Sequence, residues 1–114
     1  MRKIILIMLI SLVGITVQAQ ENKKNKNKAV EFAVAGNCDM CKKRIEKAAF
    51  SVKGVKSADW HIDHKDIHLI IDETKCSVQD VQKAIAGVGH DAGEIKTKDD
   101  VYNNLHGCCK YERL

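Results

Sequence analysis

The sequence predicts an α+β domain with the element order β-α-β-β-α-β, in which two helices cover one face of a four-stranded antiparallel sheet. Three observations carry this prediction. Four short stretches have the alternation or the composition of half-buried strands. Two longer stretches repeat apolar residues every three or four positions, as amphipathic helices do. Turn-forming residues separate these stretches, so each one is a distinct element.

The first strand and the first helix are predicted within residues 30–54. Residues 30–35 alternate apolar with small or polar side chains and predict a strand, which Gly36 and Asn37 end. From about Met40 the spacing changes to that of a helix, and Gly54 is a candidate C-cap. The apolar face of this helix contains Ile45, Ala48, Ala49 and Val52.

Two strands, a second helix and a last strand follow. Residues 55–62 and 67–71 are strand candidates joined by turn formers, which predicts a hairpin. Ser77 is a candidate N-cap with Asp80 three positions on, and residues 90–97 are a weaker strand candidate. This order is that of the ferredoxin-like sandwich. Its predicted core consists of Phe32, Val34, Ile45, Ala49, Val52, Ile67, Leu69, Ile71, Val81 and Ile85.

The chain divides into four segments by composition. Residues 1–19 have the basic start, short apolar run and small-residue end of a cleaved signal peptide, which predicts a secreted, periplasmic protein without a permanent membrane anchor. Residues 20–28 are polar and basic and predict a disordered tether. Residues 29–97 form the domain, and residues 98–114 form a tail after it.

The charge balance excludes two classes of function. The whole chain carries a net charge of +4, but residues 29–114 contain 13 basic and 14 acidic residues, so neither a nucleic-acid groove nor a polybasic membrane face is indicated. One face of the first helix is nevertheless basic. It is either a solvated surface or a docking patch for an acidic partner, formed by Lys42, Lys43, Arg44 and Lys47.

Five cysteines cluster in a way that favours metal or redox chemistry over disulfide stapling. Cys38 and Cys41 lie where the first strand gives way to the first helix. A helix N-terminus carries free N–H groups and partial positive charge, so thiols there lose protons more easily. Two thiolates suit Cu(I), Ag(I) or Hg(II), whereas Zn(II) would have to recruit further His or Cys ligands.

Residues 36–41 (Gly-Asn-Cys-Asp-Met-Cys) in a first β-α loop, with this element order after them, resemble the heavy-metal-associated domain of copper chaperones, metal-transporter modules and periplasmic mercury-binding proteins. The resemblance covers roughly residues 30–96. The family usually has Met before the first Cys, where this chain has Asn37. Bacterial members commonly carry Tyr at the position of His90, so this His is either a third ligand, a proton-sensitive gate or a surface residue without such a role.

The tail contains His106, Cys108 and Cys109, which are not part of the family pattern. These residues predict either a second soft-metal site or an arm that folds back to complete coordination at Cys38 and Cys41. The alternative is a pair of tail thiols in disulfides with other cysteines, such as Cys76. Adjacent cysteines are awkward to bridge to each other.

The sequence therefore predicts an exported protein, not an enzyme, that holds Cu(I) between Cys38 and Cys41 and transfers or sequesters it. A periplasmic Hg(II) scavenger keeps the same fold and site. A thiol-disulfide oxidoreductase is the alternative of another class, although the chain has no Pro of the kind found near thioredoxin-like active sites. A purely structural interaction module is a further alternative.

Overall fold

The predicted hairpin and first strand form a three-stranded antiparallel sheet in the computed structural model, which describes residues 24–113. The sheet order is β1-β3-β2. The elements are β1 (Lys28–Ala33), α1 (Asp39–Phe50), β2 (Val55–His61), β3 (Asp66–Ile71), α2 (Val78–Gly87), α3 (Asp99–Asn103) and a 3-10 turn (Gly107–Cys109).

The sheet buries one face because its side chains alternate. Along β3, Ile67, Leu69 and Ile71 are almost fully buried, while His68 between them is partly exposed. The register places Phe32 of β1 and Trp60 of β2 on either side of Ile67, so the central strand carries the middle of the core.

The two long helices cover this face and begin where the sequence predicts. In α1, Cys41 and Ile45 lie one turn apart on the buried side. In α2, Ser77 and Asp80 form a reciprocal capping box, with the Asp80 N–H donating to Ser77 Oγ at 3.2 Å. The α+β class and both predicted helices are confirmed, although α1 ends at Phe50 with Ser51 as its C-cap rather than at the predicted Gly54.

The predicted fourth strand at residues 90–97 is wrong as a regular strand. The Ala35 N–H donates to Asp91 O at 3.0 Å, and Ala92 makes a single bridge to Val34. The segment then turns back on itself, because Ala92 and Ile95 exchange both backbone hydrogen bonds around Gly93, whose φ is 57°. This tight turn ends the pairing with β1 after one bridge.

The residues predicted as a tail after the domain complete its core. Leu105, Cys109 and Tyr111 are at least nine-tenths buried and belong to the same apolar cluster as the sheet. The core therefore extends beyond residue 97. The last residues cover the surface next to the short bridge at Ala92.

The N-terminal boundaries differ by a few residues. The predicted leader, residues 1–19, lies outside the described residues, as does the first part of the tether. At its end, Lys28 pairs with Ile71 in the sheet, and the Glu73 N–H donates to Asn25 O at 2.9 Å. Among the helices of residues 24–113, none has the length and apolar content that crossing a membrane requires.

Most of the predicted core is buried, with two exceptions. Phe32 and Val52 are only partly buried and lie at the edge of the cluster. The prediction also missed Trp60, which is completely buried, and the C-terminal residues described above.

Candidate metal centre

Cys38 and Cys41 lie side by side at the start of α1. Their sulfurs are 3.5 Å apart. Cys38 is the N-cap residue, with extended backbone, and is partly exposed, whereas Cys41 is in the first turn on the buried side of the helix. The pair therefore presents one accessible sulfur and one sulfur embedded in the protein.

The two thiols have opposite pKa shifts. The pKa of Cys38 is lowered to about 7, mainly because its sulfur accepts a hydrogen bond from the backbone N–H of Cys41. Burial is the main cause that raises the pKa of Cys41 to about 11. At neutral pH Cys38 is therefore about half ionised while Cys41 keeps its proton, so Cys38 is the sulfur ready to act as ligand or nucleophile.

Trp60 supports the loop that carries the two cysteines. Its indole N–H donates to Val34 O at 3.0 Å, and its ring lies against Gly36. A Cβ at Gly36 would stand 3.0 Å from the Trp60 ring and 3.2 Å from Cys41 Cβ, so a larger residue would crowd both. The Lys65 ammonium donates to Gly36 O at 2.5 Å and holds the loop from the other side.

The C-terminal segment brings two more sulfurs to this place. Cys109 Sγ is 3.8 Å from Cys38 Sγ, and Cys108 Sγ is 3.8 Å from Cys109 Sγ. The sulfurs of Cys38, Cys108 and Cys109 all lie within 4.8 Å of one another. Cys109 is buried and Cys108 is exposed beside the thioether of Met40. These three cysteines, as well as Cys41 and Cys76, are free thiols.

Asn37, where the family usually has Met, connects the loop to the C-terminal segment. Its side-chain amide donates to Lys110 O at 2.6 Å. The amide group thus has a partner that an apolar side chain would not use. In place of the apolar Met of the family, Asn37 thus forms a hydrogen bond to the C-terminal segment of this chain.

His90 is buried rather than on the surface. Its Nδ1 lies 2.8 Å from Ala35 O, its ring stacks on Tyr111, and its Nε2 has no hydrogen-bond partner. Burial lowers its pKa, which keeps the imidazole neutral. Neither His90 nor His106 belongs to the group of sulfurs among the described residues, and His106 is exposed.

Other polar groups flagged by the sequence are placed elsewhere. Cys76 is buried before α2, with its sulfur 3.8 Å from Asp72 O.

A cluster that the sequence analysis did not single out lies on the open face of the sheet. There His68 pairs with Glu31 at 3.0 Å and with Asp66 at 3.3 Å. Both ring nitrogens of His68 thus already have acidic partners.

Similar proteins are found among metal-binding proteins. The copper chaperone CopZ of Staphylococcus haemolyticus is 33% identical over 55 residues, which are 81% of that protein and 48% of this chain. The mercuric transport protein periplasmic component of Shigella flexneri is 36% identical over 62 residues, 68% of that protein and 54% of this chain. The crystal structure of oxidized MerP from Ralstonia metallidurans CH34 has a TM-score of 0.56 and 29% identity, over 94% of that chain and 59% of this one. No protein-family model matches the chain.

These similarities cover most of each relative, so they concern whole domains rather than a short motif. They leave about half of this chain unmatched, so the relatives do not account for its full length. The TM-score shows that the matched part of this chain shares the overall fold of that structure. This chain belongs to the heavy-metal-associated domain family.

Proposed function

We propose that this protein binds one Cu(I) ion through the thiolates of Cys38 and Cys41 and transfers or sequesters it. The observation that carries the proposal is the pair of sulfurs 3.5 Å apart at the N-terminus of α1, in a chain of this family. Thiolates are the soft ligands that select Cu(I), and neither sulfur is engaged in a disulfide.

Binding is coupled to proton release. At neutral pH about half of the Cys38 sulfur is already thiolate, because its pKa is about 7. Cys41 has a pKa of about 11 and keeps its proton until the ion replaces it. The ion forms two metal–sulfur bonds and the displaced protons go to solvent, so affinity falls as the pH decreases below about 11, and falls more steeply below about 7, where Cys38 also binds a proton.

Transfer takes place by ligand exchange at the accessible side of the pair. An incoming thiolate of a partner forms a bond to the ion, the bond to partly exposed Cys38 breaks, and the freed Cys38 thiolate takes up a proton from solvent. Exchange at Cys41 completes the transfer in the same way. No oxidation occurs, and the protein acts as a carrier rather than an enzyme.

The docking patch for an acidic partner consists of Lys43, Arg44 and Lys47. Lys42 was predicted as a fourth member, but its ammonium is already 2.8 Å from both Glu46 and Asp59. The patch steers the encounter and adds little affinity, because Lys43 and Lys47 are exposed to solvent.

Export to the periplasm is part of the proposal. It rests on the leader at residues 1–19 and agrees with one relative that is named a periplasmic component. That relative is a mercuric transport protein, which favours Hg(II) scavenging at the same two sulfurs as the second candidate function.

The test is anaerobic titration of the reduced full chain with Cu(I) and Hg(II) against a competing thiol. We expect one tightly bound Cu(I) and its loss in Cys38→Ser/Cys41→Ser, with Cys76→Ser as the matched control. Preference for Hg(II) in the competition would favour the scavenger. Unchanged binding by the double variant would refute both, and turnover of a disulfide substrate would support the oxidoreductase instead.

A further inference from the structure

The segment that carries Cys108 and Cys109 is held against the domain at both ends. Before it, Leu105 packs against Gly89. After it, the Tyr111 hydroxyl donates to Gly89 O at 2.7 Å and accepts from the Asp91 N–H at 2.9 Å. Arg113 then forms an ion pair with the buried carboxylate of Asp91. The two cysteines are therefore in a short turn between fixed points.

The same segment is hydrogen-bonded directly to the loop at residues 36–41, which carries Cys38 and Cys41 and is called the metal loop below. The Asn37 amide donates to Lys110 O, one residue after Cys109. The Cys109 N–H donates to His106 O at 2.8 Å, which closes the turn and directs the buried sulfur of Cys109 towards Cys38. The proximity of these sulfurs thus follows from several independent backbone and side-chain contacts.

The spacing of the sulfurs is that of a site with more than two thiolates. Thiolates bonded at ~2.3 Å to one tetrahedral ion lie ~3.8 Å apart, whereas two thiolates that bind an ion linearly lie ~4.6 Å apart. The observed distances are 3.5 Å for Cys38 to Cys41, and 3.8 Å for both Cys38 to Cys109 and Cys108 to Cys109. Cys38 belongs to the first two of these distances and Cys109 to the last two, and the sulfurs of Cys38, Cys108 and Cys109 all lie within 4.8 Å of one another.

We propose that Cys108 and Cys109 complete a four-thiolate site around Cys38 and Cys41, which takes a divalent d¹⁰ ion such as Zn(II) or Cd(II). The inference rests on the proposed function, because it needs Cys38 and Cys41 as ligands, and it adds the other two. Four thiolates in tetrahedral arrangement are the donor set that such ions prefer. The ion enters past exposed Cys108 and partly exposed Cys38, and each thiol that binds releases its proton to solvent.

The number of thiolate ligands affects how firmly the metal ion is retained. A two-thiolate site leaves the ion open to attack by a partner, whereas a four-thiolate site is closed. A partner must then displace Cys108, the exposed ligand, before it reaches the ion. The C-terminal segment therefore determines whether the metal is held or passed on.

The experiment is a Cd(II) titration of the reduced full chain, followed by the sulfur-to-metal charge-transfer absorption. We expect one Cd(II) per chain and an absorption that falls by roughly half in Cys108→Ser/Cys109→Ser, as two of four thiolates are lost. Affinity should fall by more than the ~10–100-fold typical of outer-shell changes. Cys76→Ser, which removes a buried thiol elsewhere, should change neither quantity.

Each outcome distinguishes the two proposals. If Cys108→Ser/Cys109→Ser keeps the absorption and the affinity while Cys38→Ser/Cys41→Ser loses them, the four-thiolate site is refuted and the proposed function stands. If Cys38→Ser/Cys41→Ser binds as tightly as the unmodified chain, the proposed function fails.

Because Cys109 is buried, circular dichroism of each metal-free variant checks folding. Cys108→Ser, at an exposed position, provides the decisive comparison if the double variant unfolds, and an absorption unchanged by it would overturn the inference.

Discussion

Replacing Tyr111 by Phe tests whether the C-terminal segment is part of the cooperative fold. The Tyr111 hydroxyl pairs with Gly89 O at 2.7 Å and with the Asp91 N–H at 2.9 Å, in a place where the side chain is only 3% exposed. Phenylalanine keeps the ring that stacks on His90 but removes the hydroxyl that makes both hydrogen bonds. Each buried group that loses a hydrogen bond costs about 1–3 kcal/mol, so we expect the free energy of unfolding to fall by about 2–4 kcal/mol.

The assay is urea unfolding of the reduced, metal-free chain, followed by fluorescence of Trp60. This is the single tryptophan, and it is buried under the metal loop, so its signal reports unfolding of the core rather than fraying of the terminus. Tyr102→Phe is the matched control, because the Tyr102 hydroxyl makes one partly buried hydrogen bond, to Tyr111 O, and its loss should cost about 0.5–1.5 kcal/mol. A loss below about 0.5 kcal/mol for Tyr111→Phe would refute the reasoning.

Three further predictions concern the loop and its support. At pH 7, iodoacetamide should modify Cys38 at least about tenfold faster than Cys41, because the pKa of Cys38 is about 7 and that of Cys41 about 11; tandem mass spectrometry that finds equal rates would contradict this. Burial lowers the pKa of His90, so the unfolded chain takes up this proton first, and stability should fall as the pH drops below about 6.5, by at most about 1.4 kcal/mol per pH unit. Denaturation of His90→Phe between about pH 5 and 6.5 should show a flatter slope than the unmodified chain, and equal slopes would count against it. Trp60→Phe should cost about 2–4 kcal/mol in thermal unfolding, since it leaves a cavity and removes the N–H that pairs with Val34 O; a cost below about 1 kcal/mol would contradict this role.

The elements that the sequence predicted correctly are those that depend on short-range pattern. The capping box of Ser77 and Asp80, the alternation along β3 and the helical spacing after Cys38 involve residues a few positions apart. The predicted fourth strand failed for a reason that is also local: Gly93 allows a tight turn that ends the pairing after one bridge. Composition alone does not distinguish this turn from a short edge strand.

The candidate site was predicted in part. The adjacency of Cys38 and Cys41 follows from their spacing at a strand-to-helix junction. The burial of His90 against Tyr111 had no sequence signal, because one His before a predicted strand fits a surface loop equally well. The hydrogen bond of Asn37 had no sequence signal either, because its partner, Lys110 O, is 73 positions away.

Local pattern was sufficient to identify the α+β class, the two long helices and the pair of thiols at the start of α1, since all of these depend on side chains close together along the chain. Tertiary structure alone decided that the last residues complete the core and that Cys109 lies 3.8 Å from Cys38, 71 positions earlier. Such a contact depends on where the chain turns after Ala92 and on the hydrogen bonds of Tyr111, which no periodicity encodes.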